Sequence, residues 1–95
     1  MRFDYDLVKN ELLLDSRGVS FDDVIESIDE HGVLLDFPHP NVAKYPDQRI
    51  LVVNLNGYPY CVPYVRQGGA LFLKTIFPSR KFKSLLEGDP DAQDE

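Results

Sequence analysis

Apolar residues in the front of the chain recur at helical spacing. Over residues 7–17 they return every three or four positions, which predicts a helix whose apolar stripe faces the protein core. That stripe consists of Leu7, Val8, Leu12, Leu13 and Leu14. A second helix is predicted from residue 21 to about residue 31, with a buried face formed by Phe21, Val24, Ile25 and Ile28.

Short polar residues and glycines mark the ends of both predicted helices. Asp6 is a favourable N-cap for the first helix, and Gly18 follows that helix where a left-handed backbone favours glycine. Ser20 and Asp23 form a capping-box-like start for the second helix, in which Asp replaces the usual Glu. Gly32 is expected to end the second helix.

After the second helix the pattern becomes typical of β-strands. Asn56 followed by Gly57 is a strong hairpin signal, because a type I′ turn needs positive φ at both positions. Pro78 is expected to end the last strand, and Ser79 to cap a short helix that reaches Leu86. The predicted strands are residues 2–5, 33–37, 49–55, 58–66 and 70–77. The order β-α-α-β-β-β-β-α predicts an α+β fold, with two N-terminal helices packed on a mainly antiparallel sheet and a short C-terminal helix.

The length of 95 residues fits one domain, which we predict over residues 1–88, followed by an acidic, disordered tail over residues 89–95. No apolar run approaches the roughly 20 residues that span a bilayer, and the start has no apolar segment typical of a secretory signal. Cys61 is the single cysteine, so no internal disulfide can form. These features predict a cytoplasmic protein without membrane contact.

The net charge of −6 conceals an unequal distribution. Residues 1–47 hold eleven acidic and four basic side chains, and residues 87–95 add five acids. Residues 48–86 contain no acid and six bases, which are Arg49, Arg66, Lys74, Arg80, Lys81 and Lys83. This asymmetry favours an anionic partner for the basic segment. The alternative is that the two halves neutralise each other in the fold.

The predicted hairpin turn determines which residues share one face of the sheet. Counted from that turn, Arg49 lies opposite Tyr64, and because side chains alternate along a strand both lie on one face with Arg66. The apolar pairs between them and the turn are Leu51–Val62, Val53–Tyr60 and Leu55–Tyr58. One end of this face therefore combines two arginines with a tyrosine.

The second predicted hairpin leaves its register open. Its turn lies at residues 67–69 and contains two glycines. One register places Lys74 opposite Val62, on the same face as Arg49, and a shift of one residue places Thr75 there instead. In the first register, Lys74 joins the basic residues of that face.

Arg49, Tyr64 and Arg66 have side chains suited to binding RNA. Guanidinium groups bind phosphate through paired hydrogen bonds, and tyrosine stacks on bases or hydrogen-bonds phosphate. Metal-independent cleavage also needs groups that move protons, yet residues 48–86 contain neither an acid nor a histidine. No cofactor is predicted, and no metal site is expected, because this segment has no paired carboxylates or His cluster. The alternative is a solvated surface in which Tyr and Arg cover apolar neighbours.

Several motifs, taken in order, resemble the BrnT-type toxins of bacterial toxin–antitoxin pairs. A strand ending in Asp at residues 3–6 is followed by a helix with an early Lys9 and by a joint into the second helix at residues 17–22. Arg49 opens the long strand, and residues 74–81 are similar to the strand-to-Arg segment before the last helix. The resemblance covers nearly the whole predicted domain.

The resemblance implies a RelE-like ribonuclease fold, inhibition of translation by RNA cleavage, and neutralisation by a cognate antitoxin in a dimer or heterotetramer. The catalytic candidates are Arg49, Arg80, Lys74 and Arg17. The RNA-binding candidates are Tyr64, Arg66, Lys81, Lys83 and Lys9. Arg17 departs from the family, which usually has His at that position, and an arginine binds phosphate but is a poor base.

Two other functions fit the same sequence. A non-catalytic protein-binding module, such as an inactive relative or an immunity or antitoxin-like protein, is favoured by the acidic front half and by Arg17 in place of His. A plain RNA-binding sheet would have an affinity that falls steeply with salt.

Overall fold

The computed structural model of the chain describes residues 2–86. Its elements are, in order, β1 (Arg2–Tyr5), α1 (Leu7–Arg17), α2 (Phe21–His31), β2 (Leu35–Pro38), β3 (Arg49–Leu55), β4 (Tyr58–Gln67), β5 (Ala70–Leu73), β6 (Phe77–Pro78), a 3-10 turn (Arg80–Phe82) and α3 (Lys83–Leu86). The α+β fold with two N-terminal helices and a short C-terminal helix is as predicted. The predicted acidic tail lies outside the described residues.

The strands form one mixed sheet in the order β1-β5-β4-β3-β2, with β6 beside β4. β1 pairs with β5 in parallel, and the other neighbouring strands are antiparallel, which confirms a mainly antiparallel sheet. Within residues 2–86, β1 and β2 are therefore the outer strands.

The hairpin between β3 and β4 has the predicted two-residue turn. Asn56 and Gly57 have φ angles of 56° and 82°, as a type I′ turn requires. The side-chain carbonyl of Asn54 accepts a hydrogen bond of 2.8 Å from the Gly57 amide, which stabilises the turn. The pairing of Arg49 with Tyr64 confirms the register predicted from the sequence.

Different elements pack on the two faces of the sheet. α1 and α2 pack on what we call the first face, which carries Arg49, Tyr64 and Arg66 at one end. The core of this face consists of Leu13, Val19, Phe21, Val24, Leu51, Val53, Leu55, Val62, Tyr64, Leu71, Leu73 and Ile76. The second face has a smaller core of Ile50, Val52 and Cys61, against which the aromatic ring of Phe82 packs. Cys61 is buried there, as a small hydrophobic residue would be.

α2 follows its predicted amphipathic pattern. The Ser20 hydroxyl accepts the Asp23 amide and the Asp23 carboxylate accepts the Ser20 amide, so the predicted capping box is present. Phe21 and Val24 are buried, and Ile25 and Ile28 are half-buried against the first-face core. Ser27 is also buried, because its hydroxyl donates to the backbone carbonyl of residue 54.

The buried stripe predicted for α1 is wrong. Leu13 is the buried residue of this helix. The inner side of the helix is otherwise held by polar groups, because the Asn10 side chain accepts the Phe21 amide and the Arg17 guanidinium donates to the Ile76 carbonyl. The remaining apolar residues of the predicted stripe are exposed, namely Leu7, Val8, Leu12 and Leu14.

The strand predicted over residues 70–77 is divided in two. β5 pairs Leu73 with Tyr64, whereas β6 pairs Phe77 with Cys61. Between these two pairs the chain advances four residues from Leu73 to Phe77, but only three residues from Tyr64 to Cys61 on β4. The extra residue acts like a β-bulge. The single strand of the sequence prediction is corrected to two short strands in line.

The bulge follows Lys74, whose side chain lies on the second face. The register of β5, when extended, brings Thr75 rather than Lys74 to the position opposite Val62. The ammonium of Lys74 is instead 5.4 Å from the ring centroid of Phe72. The register that places Lys74 opposite Val62, on the same face as Arg49, is therefore wrong, and the alternative register with Thr75 is the correct one.

The C-terminal helix is shorter than predicted. A 3-10 turn over Arg80–Phe82 comes first, and α3 begins at Lys83. Ser79 makes no side-chain cap hydrogen bond, and its backbone amide donates to the Pro59 carbonyl at 3.0 Å, which fixes the turn to β4. No helix within residues 2–86 has the length and apolar character needed to cross a membrane.

Candidate active site

A carboxylate joins the predicted Arg49–Tyr64 pair at the end of the first face. The Arg49 Nε donates to Asp36 Oδ1 at 3.0 Å, and the Arg49 Nη2 is 3.3 Å from the Asp36 backbone oxygen. The Tyr64 hydroxyl lies 3.0 and 2.9 Å from Asp36 Oδ1 and Oδ2, so it donates to the carboxylate. We call Asp36, Arg49 and Tyr64 the acid–arginine cluster.

Strand pairing brings these three side chains together. β2 pairs with β3 so that Asp36 lies opposite Leu51, a first-face residue, while its neighbours Leu35 and Phe37 lie on the other side. Arg49 begins β3 and faces Tyr64 on β4. The cluster therefore spans three adjacent strands on one face, and its geometry depends on the sheet rather than on a loop.

The two partners of Asp36 differ in their exposure. Tyr64 is 1% exposed, and its ring belongs to the first-face core. Side-chain exposure is 41% for Arg49 and 39% for Asp36, so solvent or a ligand reaches both. The ion pair is consequently screened, and we expect it to add little to stability by itself.

Electrostatics keep both partners in the protonation state that donates hydrogen bonds to Asp36. Burial raises the pKa of the Tyr64 phenol, and its hydrogen bond to Asp36 raises that pKa further. The hydrogen bond to Asp36 likewise raises the pKa of the Arg49 guanidinium. At neutral pH the cluster thus consists of a cation and a neutral phenol around one acidic group.

A shallow cleft of about 490 Å³ opens beside the cluster. Arg49, Tyr64 and Arg66 line it, together with Asp47, Val65 and Gln67. Arg66 is exposed and continues the face of Tyr64, as predicted. The cleft therefore offers two guanidinium groups with a carboxylate within hydrogen-bonding distance of one of them.

Arg80 lies away from this cleft. The residue before it, Ser79, is hydrogen-bonded to Pro59, which is five residues from Tyr64 along β4. At about 3.3 Å per residue this separation is roughly 16 Å. The candidates Arg49 and Arg80 thus lie toward different ends of the sheet, because the chain after β5 runs antiparallel to β4 and carries Arg80 toward the hairpin end.

Two other candidates lie along the edge segment of residues 74–80. The Arg17 guanidinium holds the Ile76 carbonyl, and the Lys74 side chain lies on the second face. Lys81 and Lys83 follow in the C-terminal turn and helix, where both are exposed. Lys9 lies half-buried in the first turn of α1, where its amide donates to the Asp6 carboxylate.

Asp36 is the residue that the sequence interpretation missed. The basic segment of residues 48–86 contains no acid, and the carboxylate comes from an earlier strand. The available signal was alternation, because Asp36 separates Leu35 from Phe37 and an acid between two apolar strand residues faces the opposite side. Across residues 2–86, no three His, Cys, Asp or Glu side chains lie close enough together to hold a metal ion.

Comparison with protein-family models, with curated proteins and with solved structures gives no match. The architecture itself, two N-terminal helices on a mixed and mostly antiparallel sheet with a short C-terminal helix, is compatible with a RelE-like fold.

Proposed function

We propose that this chain is the RNA-cleaving toxin of a bacterial type II toxin–antitoxin pair, acting without a metal ion or other cofactor. The acid–arginine cluster is the observation that supports this most strongly, because it puts the Asp36 carboxylate beside Arg49, a phosphate-binding group that lines an open cleft. The sequence resemblance to BrnT-type toxins agrees with the same activity. The expected consequence is inhibition of translation, relieved when a cognate antitoxin binds the chain.

In the proposed reaction, Asp36 is the general base. It takes the proton of a ribose 2′-hydroxyl while that oxygen forms a bond to the adjacent phosphorus. The bond from phosphorus to the 5′ oxygen breaks, and this leaving oxygen takes a proton from water. Asp36 then returns its proton to solvent. The products are a 2′,3′-cyclic phosphate and a 5′-hydroxyl.

Arg49 and Arg66 stabilise negative charge in the proposed reaction. The nonbridging oxygens on phosphorus gain negative charge in the transition state, and guanidinium groups stabilise that charge through paired hydrogen bonds. Asp36 orients the Arg49 guanidinium by accepting from its Nε, which leaves part of the group exposed to a ligand. Tyr64 is too buried to stack on a base, so its role is to position Asp36.

Four of the six remaining basic candidates bind the RNA backbone in this proposal. Lys74, Arg80, Lys81 and Lys83 are all exposed and lie along residues 74–83, on the edge and the second face of the sheet. Phosphate contacts of this kind position a nucleic acid and carry no sequence information themselves. Arg80 is thus assigned to binding, in contrast to its place among the catalytic candidates suggested by the sequence.

Cleavage of a labelled single-stranded RNA by the purified chain tests the proposal. We expect cleavage in the presence of a metal chelator, with cyclic phosphate ends, and a large loss of rate in Asp36→Asn and Arg49→Ala. Asp4→Asn is the matched control, since Asp4 also pairs with an arginine, at 3.5 Å, but on β1. The absence of cleavage by wild type, or full activity of Asp36→Asn, would refute the proposed chemistry.

A non-catalytic protein-binding module is the second candidate. One observation favours it: Arg49 is already paired with Asp36, so the guanidinium is not fully available to phosphate. For this function we expect a stable complex with a partner and no RNA cleavage at any protein concentration. The same RNA assay distinguishes the two functions.

A further inference from the structure

The outer side of α1 is an apolar surface without cover in residues 2–86. Leu7, Val8, Leu12 and Leu14 are 72%, 66%, 58% and 54% exposed, although leucine and valine are usually buried. At 100° per residue they form two pairs on one helix of eleven residues, Leu7 with Leu14 and Val8 with Leu12. Exposed groups of apolar side chains rimmed by polar residues mark interaction sites.

The helix is weakly attached to the rest of the domain. Its single buried side chain is Leu13, and the polar anchors at Asn10 and Arg17 add two hydrogen bonds. A helix of this length is marginally stable in water without packing. Further packing against the outer side would therefore stabilise α1 considerably.

Two carboxylates lie within this apolar surface. Glu11 and Asp15 are one helical turn apart, and at 100° per residue they fall between Leu7 on one side and Val8 on the other. Both are exposed, and neither is in a salt bridge with another described residue. The surface is thus apolar with a central acidic stripe, and we call it the α1 outer face.

The acidic stripe excludes three otherwise simple occupants. A second copy of the chain, packed through the same face, would bring like charges together. Residues 87–95 of the chain itself carry five acids and no base, so they meet the same repulsion. A membrane surface attracts amphipathic helices with Lys and Arg beside their apolar residues, whereas Glu11 and Asp15 lie between the exposed apolar residues of α1.

We propose that the α1 outer face binds an amphipathic helix of a partner protein, in which a central row of Lys or Arg is flanked on both sides by apolar residues. Leucines of the partner would cover the four exposed apolar side chains, and its cations would pair with Glu11 and Asp15. Helix-in-groove recognition of this type uses apolar contact for affinity and charge for orientation and choice of partner. The proposal is independent of RNA cleavage, because the acid–arginine cluster lies on the sheet and not on α1.

Two designed peptides test the proposal. Each is a helix of about 20 residues with two rows of leucines on one side, and the row between them is Lys in one peptide and Glu in the other. Binding of the labelled peptides to the full chain is followed by fluorescence anisotropy. We expect the Lys peptide to bind roughly ten-fold tighter than the Glu peptide, an effect that weakens with salt.

Variants distinguish the α1 outer face from general attraction to an acidic protein. Glu11→Lys with Asp15→Lys should reverse the preference, whereas Glu26→Lys with Glu30→Lys changes the net charge equally on α2 and should not. Leu12→Gln should weaken binding of the Lys peptide roughly ten-fold, at least as much as replacing Lys by Glu in the peptide does. Val42→Gln should have no effect on binding. Val42 is a fair control because it is 56% exposed and lies in the loop before β3.

Several outcomes would overturn the proposal. These are equal binding of both peptides, no binding of the Lys peptide, or unchanged binding in Leu12→Gln. If the chain self-associates in the ultracentrifuge and Leu12→Gln removes that self-association, the face is assigned to a second copy of the chain. If the chain binds anionic vesicles and Leu12→Gln removes that binding, the face is assigned to a membrane. Circular dichroism of each variant shows whether the fold is retained, and substitutions at exposed positions should retain it.

Discussion

The buried hydroxyl of Tyr64 donates to the half-exposed carboxylate of Asp36, with distances of 3.0 and 2.9 Å to its two oxygens. This contact connects the first-face core to the outer strand β2. A buried phenol needs a hydrogen-bond partner, and Asp36 supplies it while also orienting Arg49. The stability of the fold and the proposed chemistry therefore depend on the same carboxylate.

Loss of the Asp36 carboxylate should destabilise the fold. In Asp36→Ala the Tyr64 hydroxyl loses its partner, and an unsatisfied buried polar group costs about 1–3 kcal/mol in the free energy of unfolding. Asp4→Ala removes an exposed ion pair with Arg2 and should cost less than about 0.5 kcal/mol. Chemical denaturation of both variants measures the difference.

A double-mutant cycle attributes that cost to the hydroxyl. Once Tyr64→Phe has removed the hydroxyl, Asp36→Ala should cost clearly less than in the wild type, since the two residues are in contact. Additive effects of the two substitutions would show that the hydrogen bond does not carry the stability.

Stability should also fall at high pH because of Tyr64. Its pKa is raised by burial and by Asp36, so the folded state holds the phenolic proton more tightly than the unfolded state. Below the ordinary tyrosine pKa of about 10, both states are neutral and the contribution is fully present; as the pH rises further, the unfolded state loses the proton first and stability falls. Denaturation at a series of alkaline pH values measures this decline.

Tyr64→Phe is the matched variant for this pH effect. It should show a shallower decline of stability above the ordinary tyrosine pKa, and its native protein should lack one late step in the ultraviolet titration of tyrosinate. The same titration in denaturant should show no difference in the late region. An identical decline in the variant would contradict the assignment to Tyr64.

Arg49 and Arg80 should affect RNA cleavage in different ways. Arg49→Ala should lower the rate at saturating RNA by about 10²–10³, the usual effect of losing a donor that stabilises a developing oxyanion. Arg80→Ala should leave that rate nearly unchanged, weaken binding, and reduce the salt dependence of the affinity by about one unit of slope. Single-turnover cleavage and salt-dependent binding separate the two effects, and a collapse of the saturating rate in Arg80→Ala would move the active site to residues 74–80.

Cys61 should react slowly with thiol reagents while the second face is covered. Burial raises the pKa of this thiol, which lowers the fraction of reactive thiolate, and the side chain is 3% exposed. Phe82→Ala removes part of the cover and should accelerate labelling, whereas the rates in denaturant should be equal. Fast labelling of the native wild type would contradict the placement of Cys61 in the second core.

The parts of the fold that depend on local signals were predictable. The Asn56–Gly57 turn determined the register of β3 and β4, because a two-residue turn allows a single alignment. The caps of α2 were equally local, and the Ser20–Asp23 capping box is present. Tight turns and helix caps of this kind are determined by residues that are close together in the sequence.

The parts that depend on distant contacts were not predictable in the same way. The spacing of leucines in α1 suggested a buried stripe, but the helix turns a different side inward because Asn10 and Arg17 find backbone partners at Phe21 and Ile76. No pattern in the sequence marks the position of the bulge after Lys74. The carboxylate of the candidate site likewise came from a strand earlier in the chain than the segment with the basic residues.

The parallel pairing of β1 with β5 has a consequence for the order of assembly. Residues 2–5 cannot take their place until residues 70–73 exist and have paired with β4, and closure of so long a loop is slow. α1 shares this delay, because Arg17 is anchored on the carbonyl of Ile76. The α1 helix is therefore expected to join last, although it is made before the sheet. Pulsed hydrogen exchange during refolding should protect β3 and β4 before β1, and a newly made chain displays the leucines of α1 before its sheet is complete.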